Sequence, residues 1–184
     1  KGGDAPLANF VKLYWQDDEA ELVYRSFGGI AFDKINKKLY LVDAQNNRIL
    51  RVSNYNNFRS GNLMVDTVIG QPDKITTSCN HGSSTPVADG LCEPYQIKFD
   101  KLGNLYVVEN NYECHGNRRI TVFMAEDLKN SNTLFSNIKA KKVFGAKSLT
   151  ELGPCSYWTI NEPGTAVSIA FNIENQLVIG NDGY

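Results

Sequence analysis

The sequence predicts an all-β chain in which four-stranded antiparallel sheets stack face to face. Three observations carry that expectation: a long-period repeat, strands that are apolar at consecutive positions, and turn-forming residues between them. The first copy of the repeat reads Gly29-Ile-Ala-Phe-Asp33, Leu39-Tyr-Leu-Val-Asp43 and Asn47-Arg-Ile-Leu-Arg51. The second reads Gln96-Ile-Lys-Phe-Asp100, Leu105-Tyr-Val-Val-Glu109 and Asn117-Arg-Arg-Ile-Thr-Val-Phe123. A third begins Ser168-Ile-Ala-Phe-Asn172 and continues Gln176-Leu-Val-Ile-Gly180. Val68-Ile-Gly70 recurs as Val143-Phe-Gly145, and the pairs Glu93-Pro94 and Glu162-Pro163 precede the second and third copies.

Each copy divides into short strands. Ile30-Ala-Phe32 is a first strand, and Lys37-Lys38 or Gly103-Asn104 turns the chain into a second. The second strands, Leu39 to Val42 and Leu105 to Val108, are apolar at successive positions. Strict alternation would leave one face in water, whereas a continuous run means both faces are covered. Asn46-Asn47 tolerates a left-handed turn into a third strand, Arg48 to Val52, and a fourth runs about Leu63 to Ile69. Within Glu126 to Lys139 there is room for one or two helical turns.

These units divide the chain as follows. Residues 1–27 hold the outer strands of a preceding blade (Val11 to Trp15 and Glu21 to Arg25), 28–72 form a blade, and 73–94 a long inter-blade loop. A second blade spans 95–145, a second loop 146–164, and a further, truncated blade starts in 165–184. Blades that need neighbours on both faces must close into a ring of about four to eight. This incomplete ring therefore expects partners: remaining blades of the same polypeptide or another protein chain. Each terminal blade is expected to leave one face bare. The opening Lys1-Gly-Gly-Asp4, without Met, reads as a processed chain or a segment of a longer one.

The units resemble the NHL-repeat β-propeller family, whose repeat runs approximately Pro-x-Gly-Ile-Ala-Val-Asp, Gly-Asn-Leu-Tyr-Val-Ala-Asp, Asn-Asn-Arg-Ile. Gly29 to Asp33, Leu39 to Asp43, Asn46-Asn47-Arg48-Ile49, Gly103 to Val107 and Asn117-Arg118 carry the match, and Gly70-Gln-Pro-Asp73 looks like the start of an inter-blade loop. Glu109 replaces the usual Asp, and Tyr112 to Gly116 is an insertion. Asp43 and Arg48 read as a structural turn clamp, because the family's repeat reuses this pair in its architecture.

Cys79, Cys92, Cys114 and Cys155 lack Cys-x-x-Cys spacing, which argues against structural zinc. In a four-stranded meander, the loops that carry them all emerge at one end. Disulfides are expected, hence a secreted or cell-surface location. Cys79 with Cys92 and Cys114 with Cys155 is the most local of three possible connectivities.

His81 and His115, the only histidines, flank these cysteines without metal-site spacing. Asp17-Asp18-Glu19 is expected to be a solvated hairpin tip, and Lys139 to Lys142 a short basic cluster. Trp15, Tyr157 and Trp158 are packing or contact aromatics.

The charged share is 21%, with 19 basic against 20 acidic residues, so no basic surface covers the domain and nucleic acid is not an expected partner. No apolar run reaches the ~20 residues of a spanning helix, so membrane insertion is not expected. No cofactor, metal site or catalytic residue is assigned. The expected function is a non-catalytic extracellular module whose rim of long loops binds protein or glycan, or which assembles into an extracellular structure such as a filament. The family resemblance implies one alternative, an enzyme of the peptidyl-hydroxyglycine lyase type with its catalytic residues in blades outside this chain.

Overall fold

Side chains alternate across a strand, so a run such as Leu39-Tyr-Leu-Val42 sends apolar groups to both faces of its sheet. A computed structural model describes residues 12–15, 27–53, 62–109, 115–131, 134–135, 137–155 and 166–181. Its strands are β1 (Lys12–Trp15), β2 (Phe27–Asp33), β3 (Lys38–Asp43), β4 (Arg48–Val52), β5 (Asn62–Ile69), β6 (Pro94–Phe99), β7 (Leu105–Glu109), β8 (Arg119–Phe123), β9 (Lys142–Phe144), β10 (Ala166–Phe171) and β11 (Leu177–Asn181). A six-residue helix, α1 (Ala125–Asn130), is the one α-helix among the described residues. The chain is all-β, and its main sheets are antiparallel meanders: β5-β4-β3-β2, β6-β7-β8-β9 and the pair β10-β11. They do not close on themselves among the described residues.

One strand departs from expectation. Lys12–Trp15 does not belong to a separate preceding sheet; it adds to the first one, parallel to β5, with Lys12 opposite Asn62 and Trp15 opposite Val65. The outermost strand of a meander presents unpaired amides and carbonyls, and such an edge pairs with any available strand whatever its side-chain pattern. Glu21 to Arg25 lies outside the described residues.

The sheets pack face to face. From β3, Tyr40 and Val42 join Ile49 and Ile69 in a core that continues through Ile97, Leu105, Val107 and Phe123 of the second sheet. The alternate residues of β7 face the other way: Tyr106 and Val108 pack with Ile120, Ile169, Leu177 and Ile179. Two equivalent ring contacts mark the equivalent interfaces. Tyr40 meets Phe99 edge-on at 5.0 Å, and Tyr106 meets Phe171 edge-on at 4.9 Å. Thus the same two repeat positions join each sheet to the next.

The far face of the first sheet is covered over β4 and β5, while Ile30 and Phe32 of β2 stay exposed on it. Leu50, Val52, Val65 and Val68 are fully buried, and Leu39, Leu134 and Phe135 pack against that cluster. The Val68 amide donates to the Leu134 carbonyl at 2.7 Å, so the loop after α1 reaches back to the first sheet. The far face of the third unit does stay open, with Ser168, Ala170 and Val178 exposed.

Arg51 stands on the face of β4 that meets the second sheet, where alternation calls for an apolar residue. It is accommodated because every arm has a partner: Asp66 at 2.7 Å and the carbonyls of Leu128 and Ser131 at 2.7 and 2.9 Å. Burial beside it pushes the Tyr40 phenol up from 10.0 to about 12, with the Arg51 charge and hydrogen bond pulling the other way by less. A raised phenol pKa favours the folded state fully below pH 10, and that contribution is lost as pH rises toward 12. At about 1.4 kcal/mol per unit, roughly 3 kcal/mol should disappear over this window. Ultraviolet titration should show Tyr40 ionising late, and Tyr40→Phe should remove that step and flatten the alkaline loss of stability.

The glycine of the repeated Val-Ile-Gly and Val-Phe-Gly pieces has a backbone reason. Gly70 and Gly145 have φ of 98° and 85°, and a Cβ on Gly70 would lie 2.7 Å from Leu91 Cδ1.

Candidate functional site

At one end of the sheets, the β3–β4 turn, the β7–β8 loop and the inter-sheet loops come together. Asp43 and Arg48 sit opposite each other in the β3–β4 register, and Arg48 Nε donates to Asp43 Oδ2 at 2.8 Å. Asn46 Nδ2 donates to both Asp43 oxygens, at 3.0 and 2.9 Å. The guanidinium also reaches outward, Arg48 Nη1 donating to the Lys74 carbonyl at 3.2 Å. A buried carboxylate in low dielectric needs this many donors. The clamp thereby fixes both its own turn and the loop that leaves the sheet.

The second sheet repeats the device. Glu109 stands opposite Arg119, whose Nε donates to Glu109 Oε1 at 2.8 Å, and both side chains are fully buried. Asn117 Nδ2 donates to Glu109 Oε2, and the Cys92 amide reaches the same oxygen at 3.0 Å. Arg119 also donates to the carbonyls of Leu149 and Val87. The Asn117-Arg118 match is therefore one residue out of register. Arg118, with φ of 55°, occupies the place of Asn47, with φ of 52°, and Arg119 occupies the place of Arg48. Aligning the two copies on Ile49 and Ile120 would have placed it correctly.

A disulfide joins Cys79 to Cys92. Cys155 is also disulfide-bonded, while Cys114 lies outside the described residues. A non-reducing peptide map should link Cys79 to Cys92 and find no alkylatable thiol.

The looped segment between Cys79 and Cys92 is anchored by contacts that sequence reading missed. Asn80 and Asn117 form a reciprocal amide pair at 2.9 and 2.8 Å, both buried. Gln71 Nε2 donates to the carbonyls of Asn46, Asn47 and Ser78. These partners lie up to 37 residues apart in loops without periodicity, so no local pattern announces them.

Beside the disulfide is an open cavity of about 510 Å³, lined by Gln45, Asn47, Cys79, Glu93, Pro94 and Tyr95. Gln45 and Tyr95 are exposed. Asn47 is held from both sides, its Nδ2 donating to the Thr77 carbonyl at 2.8 Å and its Oδ1 accepting the Glu93 amide at 2.6 Å. This surface offers amide, carboxylate and phenol groups on a fixed frame, suited to hydrogen-bonded recognition.

The two histidines are not drawn together as ligands. His115 is exposed, and His81 is half-buried near Asp73. The Asp73 carboxyl is held below its usual range chiefly by the Thr76 amide, then by the Thr76 hydroxyl and the Ile75 amide, with His81 contributing least. No group of three His, Cys, Asp or Glu fit for a metal ion occurs among the described residues. Lys139, Lys141 and Lys142 are exposed. Asp17 to Glu19, Tyr157 and Trp158 lie outside the described residues. Among the described residues, no helix is long and apolar enough to cross a membrane. No family model matches this chain, and no curated protein matches it significantly.

Proposed function

We propose that this chain is a segment of an NHL-type β-propeller that works outside the cell as a non-catalytic module. Its disulfide-stitched rim binds a protein or glycan, or joins the module into a larger extracellular structure. The observation that carries this reading is the rim itself, where two buried carboxylate–guanidinium clamps and a disulfide hold long loops beside an open cavity. Such stitching favours an oxidising compartment, and recognition is placed on loops that a rigid scaffold holds. The propeller part of the proposal is supported by the equivalent Tyr40–Phe99 and Tyr106–Phe171 contacts, which give successive sheets one way of packing.

Binding to immobilised extracellular-matrix proteins and to a glycan array tests the proposal. Selective binding that Gln45→Ala and Tyr95→Ala abolish, without changing the melting temperature, is the expected result. No selective binding, or binding indifferent to both substitutions, would count against it. So would zinc-dependent turnover of a peptidyl-hydroxyglycine substrate.

A further inference from the structure

The opposite end of the sheets carries the three hairpin turns, and these form one connected surface. Asp33 Oδ1 accepts the Ile35 and Asn36 amides, Asp100 Oδ1 those of Leu102 and Asn104, and Asn172 Oδ1 those of Glu174 and Gln176. The second carboxylate oxygens of Asp33 and Asp100 accept the side-chain amides of Asn36 and Asn104. Both acids are buried and occupied by their own turns.

The turns also hold one another. The Lys101 amide donates to Asn175 Oδ1 at 2.7 Å, and Lys101 Nζ donates to the Ile173 carbonyl. Ile35 Cδ1 lies 3.1 Å from where a Cβ on Gly103 would sit. Between the turns is a cavity of about 630 Å³, within the ~300–1,000 Å³ range of small-molecule sites. Ile30, Phe32, Phe99 and Phe171 supply apolar wall, and Ile30 is 62% exposed. Lys34 and Lys98 line the same cavity, both exposed and neither in an ion pair among the described residues.

The geometry points to a binding site for an anionic single-chain amphiphile. Its alkyl tail would lie on the aromatic and aliphatic wall, and its carboxylate would meet Lys34 and Lys98. An anionic head group gains charge-assisted contacts with the two ammonium groups that a purely apolar ligand would not, and a small polar anion would leave the wall in water. Lys101 also lines the cavity, and its Nζ is already engaged by the Ile173 carbonyl. Asp33 and Asp100 also line the cavity, with their oxygens taken by their own turns, whereas Glu174, the exposed acid of the third turn, does not line it. This site is separate from the rim and does not depend on the function proposed there.

Calorimetric titration of the chain with dodecanoate below its micellar concentration tests the inference, with acetate and dodecylammonium as comparisons. One saturable dodecanoate site is expected, with no acetate binding and roughly tenfold weaker dodecylammonium binding. Lys34→Gln with Lys98→Gln should weaken dodecanoate roughly tenfold and erase its advantage over dodecylammonium. Both lysines are exposed, so the variant folds, and circular dichroism checks that. Val178→Ser, on the open far face of the third unit, should change nothing. The inference is overturned by non-saturable uptake, by equal affinity for the two amphiphiles, by an undiminished double variant, or by a matching loss in Val178→Ser. Association only with vesicles of anionic phospholipid, without uptake of monomeric dodecanoate, would overturn it as well.

Discussion

Arg119→Ala is expected to destabilise the chain by about 3–5 kcal/mol, the cost of breaking a buried ion pair from one side. The substitution leaves the fully buried Glu109 carboxylate with only the donors of Asn117, Cys92 and Thr121, and it strips a partner from the Leu149 and Val87 carbonyls. Glu109→Gln should also be costly, because it strands a buried guanidinium. Combining Glu109→Gln with Arg119→Ala removes both charges, so its loss should fall well short of the sum of the single losses. Urea unfolding of the three variants measures this coupling. Losses near those of exposed ion pairs, about 1 kcal/mol or less, would show that the clamp is not buried as described.

Replacing Cys79 and Cys92 together by serine should cost about 3 kcal/mol, since the bond closes a loop of 13 residues and restricts the unfolded chain. The loss should be local in its structural effect. The Glu109–Arg119 clamp and the Asn80–Asn117 pair hold the adjoining loops independently of the bond, so the sheets should survive. Thermal unfolding with far-ultraviolet circular dichroism should then show a lower midpoint and unchanged strand content. An unchanged midpoint would mean that the bond constrains little, and loss of the strand signal would mean that the loops, not the sheets, organise the fold.

What was legible in the sequence was local or periodic. Leu39 to Val42 and Leu105 to Val108 announce covered strands, because their two-residue period exposes each face to a different core. Lys37-Lys38 and Gly103-Asn104 announce turns, and the structure adds that Asp33 and Asp100 hold those turns by accepting amides two to four residues on. The clamp of the second sheet was harder to read. Its insertion hides the register, and only the shared Ile49 and Ile120 fix Arg119 as the partner of Glu109. Arg51 was illegible for another reason. Its place in a core depends on carbonyls of Leu128 and Ser131, whose position nothing near Arg51 encodes. The parallel pairing of Lys12–Trp15 with β5 uses backbone groups alone, so it leaves no signature in side-chain pattern. The partial cover of the first sheet's far face was missed because repeat logic assumes that only another blade can cover a blade. Here Leu134 and Phe135, from a loop, contribute to the cover.

Successive units pack sheet on sheet through the same repeat positions. Nuclear Overhauser contacts between aromatic rings test this packing most directly. Contacts are expected between Tyr40 and Phe99 and between Tyr106 and Phe171, whose ring centres lie 5.0 and 4.9 Å apart. Phe99→Leu should remove the first and leave the second. Absence of both contacts in a folded chain, or a Tyr40 ring that instead reports contact with Phe171, would contradict the stacked-sheet arrangement.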